Sequence, residues 1–441
     1  MDPEKAYRRS VRAWVLYDWA NSAFVTTIMA AVYPIFLRSL AIAAGKSESA
    51  ATAFWGNINA ASLILIAVSG PFLGTLADCV PAKKKYFGAF LVVGIAATSM
   101  MPFLGDKDYI AAAIWFSIAN IGWFGANIFY EAMLPHVAKP EDLDSVSTRA
   151  YAIGYLGGGL LLVINLLWMT HPEWFHIPSK GAAVRLSFAS VAIWWAVFSI
   201  PFFLHVKEPP CGPKPPNVWR ETITQLRTTA RSVGRFRHVV IFLIAFWIYN
   251  DGISTVIKMA SVYADEIKIP QDAIITAFVI TQFVGIPCAM AFGPLARKFG
   301  AKKMICSGLW VYIGLAVAGY FLQTATHFYM LAITVALVQG GTQALSRSLF
   351  ASMIPKSRAT EFFSFFSTGS KVAGILGPAL FAAIAKYADS SRPAIVSIAV
   401  FFIIGIVLLG KVNETEARRI AEEEDATAAR AATDQAPAAT S

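Results

Sequence analysis

Apolar residues run along this chain in long blocks of about 20, separated by short polar stretches. A helix rises 1.5 Å per residue and a bilayer core is about 30 Å thick, so a block of about 20 apolar residues is a candidate membrane span. Twelve blocks qualify: 13–37, 54–76, 86–104, 109–133, 148–169, 185–206, 238–262, 273–292, 304–322, 328–350, 362–385 and 394–409. The pattern predicts an all-α polytopic membrane protein with twelve transmembrane helices in two pseudo-symmetric six-helix bundles. Residues 1–206 form the first bundle, 207–237 a cytoplasmic linker, 238–410 the second bundle and 411–441 a cytoplasmic tail, expected to be largely disordered. The first block is too long for a cleavable signal peptide and no small-residue cleavage site follows it.

The chain also repeats itself. Gly74-Thr-Leu-Ala-Asp78 matches Gly293-Pro-Leu-Ala-Arg297 at an offset of 219, and Lys83-Lys84 then falls on Lys302-Lys303. Met133-Leu-Pro135 matches Met353-Ile-Pro355, and Gly154-Tyr-Leu-Gly157 matches Gly374-Ile-Leu-Gly377, both at 220. A shared offset at equivalent places in a six-plus-six pattern implies two parallel halves. That is a transporter design, with a site near the membrane midplane.

Composition agrees: 56% of residues are hydrophobic and 15% charged, against about 25% charged in an ordinary soluble domain. The net charge of +10 would suggest nucleic acid in a soluble chain. Here its distribution decides otherwise. With the N-terminus inside, 26 of the 37 basic residues fall in cytoplasmic segments and 8 outside. The excess predicts both termini in the cytoplasm and excludes a nucleic-acid reading. Cys79, Cys211, Cys288 and Cys306 have no metal-site spacing and the histidines are scattered, so no metal site is expected. No cofactor is expected beyond a coupled proton or sodium ion.

The 207–237 segment opens with Pro209, Pro210, Pro213, Pro215 and Pro216, an extended linker. Trp219, Ile223, Leu226, Ala230 and Val233 then recur at helical spacing with Arg220, Arg227 and Arg231 beside them, as on an interfacial amphipathic helix. After Lys411 the tail is rich in Ala and acids, which predicts a short frayed helix and then disorder.

Charges inside spans cost several kcal/mol unless paired or wetted, so they are the first functional candidates. They are Asp18, Glu131, Asp251, Lys258, Arg347 and Lys371. Asp251 and Lys371 are deep, whereas Glu131 and Arg347 are near span ends, where gating or plain solvation would explain them. Each has polar company on its own helix face. Asp18 has Asn21 and Ser22; Glu131 has Asn120 and Asn127; Asp251 has Ser254, Thr255 and Lys258; Arg347 has Gln339, Gln343 and Ser346. Spans one, four, seven and ten are equivalent in the two repeats, and a polar stripe on all four implies a water-filled cavity. Helix–helix hydrogen bonding would account for the single Ser and Asn residues but not for the charges. In the loop after span two, Gly74 allows close helix contact, and Asp78 can accept hydrogen bonds from a helix N-terminus, where the dipole is positive. Lys83 and Lys84 follow, and together these four residues make a cytoplasmic gate loop.

The Gly-x-Leu-Ala-Asp loop with its following lysines resembles the signature loop of the major facilitator superfamily, with Cys79, Pro81 and Ala82 departing from the usual basic and glycine positions. Trp14-Val-Leu-Tyr-Asp-Trp-Ala-Asn-Ser-Ala-Phe24, Tyr155-Leu-Gly-Gly-Gly159, Tyr249-Asn-Asp-Gly252, Glu361-Phe-Phe363 and Gly377-Pro378 resemble its vacuole-effluxer branch, related to fungal autophagy-associated amino-acid effluxers. The resemblance spans the chain outside 207–237 and the tail. It implies twelve helices and substrate export by alternating access, and marks Tyr17, Asp18, Asn21, Asn250 and Asp251 as signature positions. It does not fix the substrate.

The expectation is therefore a secondary active transporter, not an enzyme, for a small polar solute such as an amino acid. It would be a monomer in a bacterial inner membrane, in contact with lipid and not with nucleic acid. Asp18 or Asp251 would carry a coupling proton, neutralised in one state by Lys371 or Lys258. A lipid or lysolipid flippase on the same fold, and a transporter-like solute receptor, are the alternatives.

Overall fold

A computed structural model describes the backbone of residues 2–78, 82–209, 217, 219–224, 234–374, 376–388 and 390–434, with some side chains inside these ranges, that of Lys371 among them, left out of the description. The described chain is built of helices. In order they are α1 (Pro3–Ala23), α2 (Tyr33–Ala43), α3 (Glu48–Asp78), α4 (Lys83–Met100), α5 (Tyr109–Ala132), α6 (Leu143–Thr170) and α7 (Lys180–His205). After the linker come α8 (Arg237–Glu266), α9 (Gln271–Phe299), α10 (Ala301–Tyr320), α11 (Ala325–Met353), α12 (Ala359–Ala373), α13 (Leu376–Ala388), α14 (Ser391–Ser397), α15 (Ala399–Gly410) and α16 (Glu414–Asp434).

Among the described residues nine helical segments are long and apolar enough to cross a membrane, and ten if the bent first pair counts as one span. That pair runs from α1 through a π-helical stretch, Phe24–Ala31, into α2 with a bend of 41°. Pro34 opens α2 and supplies no N–H, which accounts for a bend at this point. The two other expected spans fall in α3 and in α12 with α13, helices whose residues are described only in part. Large apolar side chains such as Ile35, Val92, Phe103, Ile193 and Leu204 are exposed on the outer surface. Lipid removes the cost that water would impose on such a belt. Hydroxyls inside the spans return to their own helix: Thr98 donates to Gly94 O, Ser117 to Ala113 O and Ser199 to Trp195 O.

The chain groups into two compact units. The first contains residues 1–69, 84–130 and 153–207; the second contains 70–83, 131–152 and 208–441. In the first, α1 carries a buried aromatic face. Trp14 stacks on Tyr130 at 4.4 Å and donates its indole N–H to Tyr130 O, and the Gly154–Gly158 stretch of α6 lies directly on α1. A Cβ on Gly157 would sit 2.6 Å from Trp19 O, so these glycines serve close packing inside the first unit. In the second, α9 and α11 approach closely because Gly341 lies under the Phe292 ring.

In the tail, where a short frayed helix was expected, residues 414–434 form the 21-residue helix α16; 435–441 lie outside the described residues. Asn413 caps it by accepting the Glu416 N–H at 3.2 Å, and Arg418 with Glu414 and Arg419 with Glu416 make pairs three or four residues apart. The acids that read as solvating charge therefore belong to a capped, paired helix. In the linker, residues 219–224 are helical and Trp219 stacks on Phe72 at 5.5 Å. Leu226, Arg227, Ala230, Arg231 and Val233 of the expected amphipathic stripe lie outside the described residues.

Candidate functional site

The candidate residues separate between the two units. In the first, Tyr17 is fully buried among Phe87, Tyr130 and Phe202, with ring centroids 4.9, 4.7 and 5.8 Å away. It anchors α1 in the aromatic core. One residue on, the helix turns its polar face. Asn21 reaches the Asp18 carboxylate at 3.4 Å and donates to Asn127 of α5 at 3.3 Å. Asn127 in turn donates to Trp123 O at 2.7 Å. Ser22 packs on α6, within 2.7 Å of where a Cβ on Gly154 would be. Asp18, Asn21 and Asn127 therefore form a connected polar patch joining spans one and four.

In the second unit, Gln343 of α11 donates to Asn250 of α8 at 3.2 Å, and the Tyr249 and Ser346 hydroxyls meet at 2.5 Å. Asp251, 1% exposed, is engaged by the eleventh span. That span breaks between α12 and α13, and Pro378 explains why. A proline has no N–H for the carbonyl four residues back, which is Gly374 O, and its ring clashes there. Lys258 supplies a donor to that carbonyl, Nζ to O at 3.4 Å. On the other side of the break the Gly377 N–H, near the start of α13, donates to Asp251 Oδ2 at 2.8 Å. An anion thus meets the positive end of one half-helix and a cation the negative end of the other. Asp251 Oδ1 also lies 3.5 Å from the Thr255 hydroxyl. The Lys371 side chain lies outside the described residues.

The gate loop belongs to the second unit as far as Lys83. Asp78 is buried and accepts the Thr360 and Glu361 N–H groups at 3.3 and 2.7 Å, at the start of α12. Lys83 pairs with it at 2.6 Å, both side chains being buried. Gly74 permits the approach, since a Cβ there would lie 2.7 Å from Thr360 O. Lys84 has a different task. Its ammonium donates to Phe203 O and Val206 O at 2.9 and 2.6 Å, capping the C-terminus of α7.

Nearby, Glu131 accepts from Ser367 at 2.6 Å. Arg347, 2% exposed, donates to the Ser147 hydroxyl and carbonyl at 2.9 and 3.1 Å and stacks over the Tyr151 ring at 4.6 Å. Ser348 donates to Asp144 at 2.5 Å, and Arg297 pairs with Asp142 at 2.8 Å. Arg347 is thus held by the 147–151 stretch and Glu131 by Ser367 of α12. Sequence reasoning passed over Ser147, Asp144, Asp142 and Arg358 as flanking residues. The available signal was their place just before spans five and eleven, where helix N-termini attract acids and pair with bases.

A family model described as "Vacuole effluxer Atg22 like" matches residues 6–422. The "uncharacterized MFS-type transporter YxiO" of Bacillus subtilis (strain 168) is 36% identical over 422 residues, 96% of this chain and 99% of that protein. Autophagy-related protein 22-1 of Phaeosphaeria nodorum is 22% identical, over 82% of this chain and 76% of its own length. Among solved structures, the major facilitator superfamily transporter FucP in its outward conformation aligns with a TM-score of 0.71 at 12% identity, covering 92% of this chain and 99% of FucP. The proton:xylose symporter XylE aligns with a TM-score of 0.72 at 14% identity, covering 96% of this chain and 99% of XylE.

Proposed function

This chain belongs to the vacuole effluxer Atg22-like family of major facilitator superfamily transporters, and on that premise we propose that it exports a small polar solute, an amino acid or related metabolite, across a bacterial plasma membrane. The observation that carries the reading is the charged pair on the broken eleventh span. Asp251 holds the Gly377 N–H and Lys258 reaches the Gly374 carbonyl. The termini of half-helices are where transporters hold charged solutes and ions at mid-membrane depth, and here an ionisable side chain stands at each of them.

In this reading Asp251 is the coupling group. A proton on its carboxylate removes the anion from the start of α13, weakens the hold on Gly377 and frees the half-helix to move. Lys258 keeps the other end of the break in place and balances the charge when the proton leaves. Asn250 and Gln343 beside them offer donors and acceptors to a zwitterion. Sodium in place of the proton would need a set of oxygen ligands, and Asp251 with Thr255 supplies only its beginning.

The test is solute counterflow in proteoliposomes, with a panel of amino acids chosen by thermal shift. The expected outcome is exchange that depends on the proton gradient in the native chain. In Asp251→Asn the exchange loses that dependence. Unchanged counterflow and unchanged proton dependence in Asp251→Asn would overturn the assignment. A lipid or lysolipid flippase would instead be stabilised by lipids and not by amino acids in the same thermal-shift panel.

A further inference from the structure

We propose that the C-terminal helix α16 positions the gate loop's receptor, so that Glu424 and Asp425 are part of the latch that Asp78 closes. The argument begins with the helix's own pattern. Ala417, Ile420, Ala421, Glu424 and Asp425 recur at helical spacing on one face. Ala417 and Ala421 are buried, and Ala417 and Ile420 line one crevice with Phe236 and Val239 at the start of α8. The apolar part of the stripe seats the helix; the acidic part acts on the loop between α11 and α12.

Asp425 accepts three hydrogen bonds from that loop: from Lys356 N and Ser357 N at 2.9 Å each, and from the Ser357 hydroxyl at 2.7 Å. It does for the Lys356–Arg358 turn what an N-cap does for a helix. Glu424 lies between two arginines, Arg235 at 2.9 Å and Arg358 at 3.6 Å. Arg358 is sandwiched near the rings of Phe236 and Phe362 and pairs with the fully buried Glu361 at 3.0 Å. Glu361 and Thr360 are the residues whose N–H groups hold Asp78. From the other side His136 contacts Lys356 O at 3.1 Å. The tail thus reaches Asp78 through one turn and one buried ion pair. Removing its acids would leave the turn's amides without acceptors and Arg358 with less to orient it. The start of α12 would then present its N–H groups less sharply to Asp78.

The proposal rests on reading the Asp78 contacts as the cytoplasmic latch of the transporter. Its test is hydrogen exchange by mass spectrometry on the full chain in detergent, reading the segment 356–364. In Asp425→Ala, exchange across 359–364 is expected to rise about fivefold, the size of a lost cap. Asp425→Asn, which keeps one acceptor oxygen, should fall between. In an Asp78→Asn background the same change should add little at 359–364, because the contact it supports is already weakened. Faster exchange confined to 414–434, or equal increments with and without the Asp78 change, would overturn the proposal. Asp425→Asn also guards against misfolding of the alanine variant: native exchange at 359–364 in Asp425→Asn would overturn the proposal as well. Counterflow measures transport and exchange measures the latch, so the proposal and the functional reading fail separately.

Discussion

Asp78 and Arg297 occupy equivalent positions in the two repeats yet hold opposite charges. Asp78 is buried, with two helix N–H groups and the Lys83 ammonium around it. Arg297 is half-exposed and pairs with Asp142. The consequences of removing each should differ accordingly. Asp78→Asn leaves Lys83 buried without its counter-charge, at a cost of about 3–5 kcal/mol. Arg297→Gln removes a solvent-screened pair, worth below about 1 kcal/mol. Thermal melting in detergent should show a large drop for the first, little affected by salt, and a small, salt-sensitive one for the second. Gly74 offers a sharper comparison. A methyl there meets Thr360 O at 2.7 Å and the Ser364 side chain at 2.8 Å, whereas one on Gly314 meets nothing within 4 Å. Gly74→Ala should therefore lower the melting temperature by overpacking, and Gly314→Ala should leave it level or raise it, since alanine favours the helix.

Among the elements, the broken eleventh span shows how one residue redirects others. Pro378 deprives Gly374 O of its helical donor, and Lys258 reaches that oxygen. In Pro378→Ala the chain can donate to Gly374 O itself, making the lysine less necessary. Lys258→Met should accordingly cost more stability in the native background than in Pro378→Ala, by a coupling of about 0.5–2 kcal/mol. Additive costs in a double-mutant melting cycle would mean that Lys258 acts elsewhere. The lysines that open α4 and α10 repeat another device. Lys84 caps the carbonyls ending α7, and Lys302 caps Gly410 O and Val412 O after α15. The sequence register pairs Lys83 with Lys302, but the caps pair Lys84 with Lys302. The first half therefore needs one more lysine, Lys83, to meet the acid that only it carries.

For the molecule as a whole, the basic residues set the expected orientation. The count of 26 against 8 predicts both termini in the cytoplasm. A C-terminal green fluorescent protein fusion should be fluorescent in cells, and a C-terminal alkaline phosphatase fusion inactive; the reverse result would invert the topology. The contacts also group the chain differently from its repeats. Residues 70–83 and 131–152, which lie within the first half in sequence, belong to the second unit. The reason is local: Asp78, Asp142, Asp144 and Ser147 find partners among Arg297, Arg347, Ser348 and the N–H groups opening α12.

By itself, the sequence determined what depends on solvent and spacing. Long apolar blocks required helices in lipid, because a backbone in hydrocarbon must satisfy its own hydrogen bonds. The shared offset near 220 made the two halves legible, and the Gly74–Asp78 motif announced a helix-capping acid. Tertiary structure decided which partner each charge takes. Asp251 and Lys258, seven residues apart on one helix, divide the two ends of a break made by Pro378 in another helix. Tyr17, a neighbour of Asp18 in the chain, turns into the aromatic core while Asp18 faces Asn21. The acidic tail became a docked helix because its receptors, the Lys356–Arg358 turn and Arg235, come from segments distant in sequence. Charge and periodicity can be read along a chain, but the identity of a partner across it depends on helix packing that no local pattern encodes.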